Sequence, residues 1–138
     1  MSTIRSHVTR DVIAIEATAP CREAARLMAE KKIGSVAVKD GGRLIGLATE
    51  RDLVASVLAR GSDGLMPVRE AMRDLPRVTP AATEAECAAL MRDHFTRHLL
   101  VEEKGQVVGV VSMRDIIQLM LDEKQFVIEQ LSEYIGRS

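Results

Sequence analysis

Short apolar runs and helix-spaced apolar positions alternate along this chain, and the alternation occurs twice. Val12-Ile13-Ala14-Ile15 reads as a short extended stretch. Ala24, Leu27 and Met28 then recur at helical spacing. Ser35-Val36-Ala37-Val38 is a strand, and Asp40-Gly41-Gly42 carries hairpin chemistry leading into Leu44-Ile45-Gly46-Leu47-Ala48-Thr49. Leu53, Val54, Val57 and Leu58 form the apolar face of a closing helix. The second half repeats the order: Leu75-Pro76-Arg77-Val78 extended, then a helix facing inward through Cys87, Leu90 and Met91. His98-Leu99-Leu100-Val101, the turn Glu103-Lys104-Gly105 and Val107-Val108-Gly109-Val110-Val111-Ser112 follow. A helix faced by Ile116, Ile117, Met120 and Leu121 closes it. Thr83 and Glu86 have capping-box spacing, and Pro20, aligned with Thr83, suits a first helical position. A last helix is expected from about Asp122 to Ile135, with Val127, Ile128, Leu131, Tyr134 and Ile135 on one face and Gly136 able to end it.

The halves are in register. Gly46-Leu47-Ala48-Thr49-Glu50-Arg51-Asp52-Leu53 resembles Gly109-Val110-Val111-Ser112-Met113-Arg114-Asp115-Ile116 at a shift of 63. Without gaps, the same shift sets Arg10-Asp11 on Arg73-Asp74, Leu27-Met28 on Leu90-Met91 and Gly42 on Gly105. One register from Arg10 to Leu58 points to duplication. The predicted organisation is a first domain over 4–60, a linker over 61–67 around Gly61-Ser62-Asp63-Gly64, a second domain over 68–121 and a C-terminal helix over 122–138. Halves of about 50 to 60 residues bury too little surface to stand alone. The fold class is therefore α+β, two β-α-β-β-α domains packed with pseudo-twofold symmetry, with an extra C-terminal helix.

Composition narrows the function. Lys and Arg number 19 against 20 Asp and Glu, so no basic groove for nucleic acid or polybasic membrane patch is indicated. No Trp, one Tyr and two Phe leave few bases-stacking groups for single-stranded nucleic acid. No apolar run reaches the roughly 20 residues of a membrane span. The first residues lack the apolar core of a secretory signal, so a cytoplasmic location is expected. Cys21 and Cys87 are expected as buried reduced thiols. His7, His94 and His98 have no metal-ligand spacing, and neither a metal site nor catalytic residues are expected.

The tandem duplication and the repeated Gly-x-x-[Thr/Ser]-x-x-Asp segment resemble a pair of cystathionine-β-synthase-type (CBS) domains, or Bateman module. Ile33-Gly34-Ser35-Val36-Ala37-Val38 with Gly46 to Leu53 is similar to the usual first domain. Thr96-Arg97-His98-Leu99-Leu100-Val101 with Gly109 to Ile116 is similar to the second. The resemblance implies a non-enzymatic regulatory module that binds adenosine-type ligands (AMP, ADP, ATP, NAD or S-adenosylmethionine) in clefts between the two domains. It further implies backbone contacts to adenine near Ile13 and Val36 in one site and Val78 and Leu99 in the other. A homodimer and a protein partner that the sequence does not name are also implied.

The residues agree with that implication. Thr49 and Ser112 stand where a strand meets a helix N-terminus, whose free N–H groups and dipole favour an anion. Asp52 and Asp115, in the first turn, can accept from ribose hydroxyls. Arg51 and Arg114 offer forks for phosphate. The plain alternative is that Thr49 and Ser112 are N-caps, with the aspartates complementing the dipole. A ligand-free structural dimerisation module is the competing function. The two sites are expected to be unequal: Arg97 and His98 align with Gly34 and Ser35, so only the second half brings a cation and an imidazole.

Overall fold

The first repeat builds a three-stranded sheet with helical cover, and the second repeat builds another; the computed structural model describes residues 2–136. In the first unit, residues 10–75 with 104–108, the elements are β1 Ala14–Glu16, α1 Cys21–Lys31, β2 Ser35–Asp40, β3 Arg43–Thr49 and α2 Glu50–Leu53. Strand order is β1-β2-β3, with β1 parallel to β2 and β2 antiparallel to β3. Gly41 and Gly42, with φ of 59° and 84°, form the two-residue turn that suits the twist of a hairpin. The core gathers Cys21, Ala24 and Met28 from α1 with Val36, Val38, Ala48 and Leu53.

Two local expectations change here. Pro20 is the N-cap of α1 with extended ψ of 149°, and not its first helical residue. It therefore holds the same place as Thr83, whose hydroxyl accepts from the Glu86 N–H at 3.2 Å. The closing helix is α2 followed by a π-helical segment, Val54–Leu58, with wide-turn bonds such as Ala59 N–H to the Val54 carbonyl at 2.8 Å. Widening the turn rotates the expected apolar face. Leu53 stays buried, while Val54 and Leu58 are exposed.

The second unit takes residues 2–9, 76–103 and 109–136. Its elements are β4 Arg77–Val78, α3 Glu84–Asp93, β5 His98–Glu103, the part of β6 (Gln106–Ser112) from Gly109 onward, and α4 Met113–Gly136. Strand order is β4-β5-β6, with Arg77 paired to Leu100 as Ala14 is to Ala37 in the first unit. Lys104 and Gly105, both at positive φ, replace the glycine pair in the hairpin turn. Cys87, Met91, Leu99, Val101, Val111, Ile116 and Leu119 are buried.

Each unit is completed by a lead segment that the repeat boundaries do not foretell. Residues 68–75 belong to the first unit, where Val68 N–H donates to the Ala19 carbonyl and Arg73 pairs with Leu47. Residues 2–9 belong to the second, where Ile4 N–H donates to the Ala82 carbonyl and Thr9 pairs with Val110. Leu47 and Val110 keep the shift of 63, whereas Arg73 and Thr9 differ by 64; the lead segments have slipped by one residue. These pairings explain a motif residue. A Cβ on Gly46 would stand 2.6 Å from the Arg73 carbonyl oxygen, and one on Gly109 would stand 2.5 Å from that of Thr9. Glycine is required there by space, so that a neighbouring backbone can pair with the strand.

The separate closing and last helices expected in the second half are one helix. α4 runs without a break for 24 residues, about 36 Å at 1.5 Å per residue. Neither Gly nor Pro interrupts it before Gly136, and Asp122-Glu123-Lys124-Gln125 contains good helix formers apart from Asp122. Residues 137 and 138 of the expected last segment lie outside the described residues.

Candidate nucleotide site

Two strand-to-helix junctions carry the same hydrogen-bonded box. At the end of β3 the Thr49 N–H and hydroxyl both donate to Asp52 Oδ2 at 2.9 Å, and the Asp52 N–H donates to Thr49 Oγ1 at 3.1 Å. At the end of β6 the Ser112 N–H and hydroxyl donate to Asp115 Oδ2 at 2.8 and 2.9 Å, with the Asp115 N–H returning to Ser112 Oγ at 3.1 Å. Sequence spacing dictates this: three residues separate cap and carboxylate, which is the reach of a capping box. The capping interaction set beside ligand binding is thus present in both halves. It engages Oδ2 of each aspartate, and no described hydrogen bond engages either Oδ1. Asp52 is buried at 9% exposure, while Asp115 is half-buried.

The turn before each middle strand closes on the same junction. The Gly34 carbonyl accepts from the Glu50 N–H at 3.0 Å, and the Arg97 carbonyl from the Met113 N–H at 2.8 Å. Each bond satisfies a free N–H of the helix first turn. In the second unit it also brings Arg97 and His98 beside Ser112 and Asp115. The Thr96 hydroxyl brackets His98, accepting from its N–H and donating to its carbonyl, both at 3.2 Å. Arg97, Arg51 and Arg114 are exposed.

The proposed adenine positions fall differently. Ile13 is 39% exposed, and its carbonyl accepts from the Ala37 N–H at 2.8 Å. Val36 and Leu99 are buried in corresponding middle strands. Val78 is the counterpart of Ile15, not of Ile13. The residue equivalent to Ile13 is Pro76, whose carbonyl accepts from the Leu100 N–H at 3.0 Å.

Phe95 is a residue the sequence reading passed over. It is 88% exposed and sits at φ 51°, directly before Thr96 and Arg97. Its repeat partner Lys32 has φ 56°. Both follow the first helix of their half and permit a six-to-one bond, Ile33 N–H to Met28 O and Thr96 N–H to Met91 O, each 3.0 Å. The shift of 63 identifies the pair, but neither Lys nor Phe signals a left-handed turn as glycine would.

A groove of about 810 Å³ within the second unit lies apart from the box, at the N-terminus of α3. Glu84, Asp122 and Glu123 line it with Leu119 and Phe126. His7 Nε2 meets Asp122 Oδ2 at 2.8 Å, and this bond, with one from Gln118, holds the Asp122 carboxyl below its ordinary range. Desolvation, then the charge of neighbouring Glu123, holds Glu84 above it. Three carboxylates would repel a phosphate, so the repeated box is the better nucleotide candidate despite the size of this groove.

Cys21 and Cys87 are free and buried. Burial, then the charge of Glu86, pushes the Cys87 thiol up to about 11. Among the described residues, no His, Cys, Asp and Glu group is suited to a metal, and no helix is long and apolar enough to cross a membrane.

Comparison with known proteins finds one kind of domain twice along the chain. Residues 4–59 and 68–122 each match the profile of the CBS domain. The CBS domain-containing protein YhcV of Bacillus subtilis is 31% identical over 117 residues, 84% of each chain. A solved structure from Burkholderia ambifaria, assigned to signal transduction and carrying CBS domains, superposes with a TM-score of 0.81 at 29% identity, covering 88% of this chain and 95% of that one. The hexameric CBS-CP12 protein of bloom-forming cyanobacteria superposes with a TM-score of 0.73 at 28% identity, covering 85% of this chain and 70% of that one.

Proposed function

As this chain belongs to the CBS domain family, carrying two copies in tandem, we propose that it is a regulatory module that binds an adenosine-type ligand and transmits its presence to a partner. Tandem CBS proteins are regulatory and signal-transduction modules. The nucleotide reading is carried by one observation, the box repeated in both units with Oδ2 of each aspartate committed and Oδ1 left over. A carboxylate oxygen beside a helix N-terminus can accept from a ribose hydroxyl while the first turn draws phosphate. AMP, ADP, ATP, NAD and S-adenosylmethionine all carry the required ribose. No catalytic residue and no obligatory cofactor form part of the proposal.

The second site is the tighter one in this proposal. It alone adds the Arg97 guanidinium and the His98 ring, and Asp115 is more open than Asp52. The test is calorimetric titration with AMP and with ATP of the wild type and of Arg97→Ala, Asp115→Asn and Asp52→Asn. Losing a hydrogen bond to a charged group costs about 1.5–3 kcal/mol, so Arg97→Ala and Asp115→Asn should each weaken binding roughly tenfold to a hundredfold. Asp52→Asn should leave the tighter site unchanged. Equal losses at Asp52 and Asp115 with Arg97→Ala silent would refute the asymmetry.

The self-satisfied box also supports a second reading, a ligand-free structural module. Each hydroxyl and carboxylate already has a partner, so the motif stands without a ligand. Thermal-shift measurements separate the two: a sensor is stabilised by one ligand class, a structural module by none. In either reading we propose a homodimer, because large apolar side chains including Val54, Ile117 and Met120 are half exposed in the single chain. The hexameric cyanobacterial relative shows that a protein of this fold assembles.

A further inference from the structure

The groove at the N-terminus of α3 holds a second hydrogen-bonded constellation, wholly within the second unit and apart from the repeated box. Residues 5–7 form a single 3-10 helical turn. Buried Ile4 anchors it: its N–H donates to the Ala82 carbonyl at 2.9 Å, and its carbonyl accepts from the His7 N–H at 2.8 Å. The turn sets the Ser6 hydroxyl 3.1 Å from His7 Nδ1, and His7 Nε2 lies 2.8 Å from Asp122 Oδ2. One turn back along α4, Gln118 Nε2 donates to Asp122 Oδ1 at 2.8 Å. These two bonds, that from His7 first, hold the carboxyl below its ordinary range, so it stays charged near neutral pH. A carboxylate only accepts, so His7 donates its Nε2–H to Asp122. A neutral imidazole then keeps a lone pair on Nδ1, facing the Ser6 hydroxyl. Hydroxyl, ring base and ring-orienting carboxylate are the three parts of an activated nucleophile, known by geometry and roles and not by order in sequence. The ring nitrogens exchange the places they hold in the familiar serine-hydrolase triad, and either can act as base while the other carries the proton.

Ser6 is exposed, and Ser6, His7 and Asp122 all line the groove. So do Glu84 and Ala85, the first two residues of α3. Thr83 takes the next two N–H groups, that of Glu86 on its hydroxyl at 3.2 Å and that of Cys87 on its carbonyl at 3.1 Å. No described hydrogen bond uses the N–H groups of Glu84 and Ala85. They leave two donors, at the positive end of a helix, for an oxygen that gains charge. We infer that Ser6, His7 and Asp122 form an acyl-transfer site that hydrolyses carboxylic esters, with Ser6 as nucleophile, His7 as base and then acid, and Asp122 as a positioning residue. This activity is independent of the nucleotide reading. The Ser6 oxygen bonds to the ester carbonyl carbon as its proton passes to Nδ1, and the carbonyl oxygen becomes an oxyanion. The carbonyl re-forms, the bond to the leaving oxygen breaks, and that oxygen takes the proton from Nδ1. Water then repeats the sequence on the acyl-serine: its proton goes to Nδ1, its oxygen joins the acyl carbon, and Ser6 departs with the proton as the acid is released. The lining sets the substrate class. Leu119, Phe126 and Val127 offer apolar surface to an acyl chain, whereas Glu84 and Glu123 repel an anion. Neutral esters with short apolar acyl chains fit this groove.

The experiment follows hydrolysis of p-nitrophenyl butyrate by the full chain, with thermal melting as a check on folding and peptide mass spectrometry to locate the butyryl group. The wild type should outpace free imidazole at equal concentration and carry the acyl group on Ser6. Ser6→Ala, a small change at an exposed position, should abolish both. His7→Gln should lower kcat roughly a hundredfold to ten-thousandfold, the usual worth of a general base. Asp122→Asn should lower kcat with KM little changed, because the carboxylate acts through the ring and not on the substrate. Mono-p-nitrophenyl succinate, which replaces the terminal methyl by a carboxylate, should react more slowly than the butyrate. Turnover no faster than imidazole, acylation only at residues other than Ser6, or an unchanged rate in Ser6→Ala would each overturn the inference. If His7→Gln or Asp122→Asn does not fold, Ser6→Ala decides alone.

Discussion

At the residue scale the repeated motif turns out to combine three separate physical requirements. Gly46 and Gly109 clear space for the Arg73 and Thr9 carbonyls, Thr49 and Ser112 cap helices, and Asp52 and Asp115 close the boxes. Sequence alone located the motif and the cap, but the glycine's reason depends on a segment from elsewhere in the chain. Gly109→Ala is therefore expected to destabilise its unit by about 1–3 kcal/mol, the cost of forcing atoms into a filled site. Urea unfolding checks this; an unchanged midpoint would mean that the lead segment yields freely. Ser112→Ala should cost about 1 kcal/mol, as for loss of an N-cap. The groove residues respond to pH. Glu84 binds its proton more tightly folded than unfolded, so its favourable contribution is present below the ordinary value of 4.5 and lost as pH rises through the raised one. Asp122, held low chiefly by its bond to His7, acts oppositely, and its contribution is lost as pH falls through its lowered value. Glu84→Gln should remove the first trend, giving a higher melting temperature than wild type at neutral pH and a smaller difference in acid. An identical pH dependence in both proteins would contradict this assignment.

At the scale of elements, what was legible followed from periodicity and what was not followed from tertiary contacts. Both sheets, their hairpin turns and the inward faces of α1 and α3 are written in apolar spacing and turn chemistry. Ala24, Met28, Cys87 and Met91 are buried as that spacing requires. The π-helical segment after α2 leaves no local signature, since Val54, Val57 and Leu58 fit an ordinary helix equally well. The continuity of α4 was obscured because Asp122-Glu123 interrupts the apolar stripe without breaking the backbone. Left-handed Lys32 shows the same gap between residue type and conformation. Lys32→Gly should stabilise the fold by about 0.5–1 kcal/mol, since an L side chain is strained where glycine is not. Thermal melting would show it as a raised midpoint, and a lowered one would place the strain elsewhere.

Across the whole molecule, duplication supplied most of what could be read in advance. The boundaries 4–60 and 68–121 follow the repeat, yet each unit borrows its lead segment from outside its own repeat. A gapless alignment starting at Arg10 could not reveal that exchange, because the lead segments align one residue out of step. The candidate site was readable to the same degree. Spacing found the hydroxyl–carboxylate pairs, and the bond from Met113 N–H to the Arg97 carbonyl added the turn carrying Arg97 to the second pair. The family resemblance implied Val78 for the second adenine position, where the shift of 63 sets Pro76 opposite Ile13. Function depends on whether those boxes accept a ribose or only cap their helices. Calorimetric titration of wild type and Asp115→Asn with ATP measures this most directly, since asparagine keeps a capping oxygen and loses the charge. Saturable binding by the wild type, weakened roughly tenfold or more in an Asp115→Asn protein that still folds cooperatively, is the predicted result. Binding of equal strength in both proteins would contradict the account.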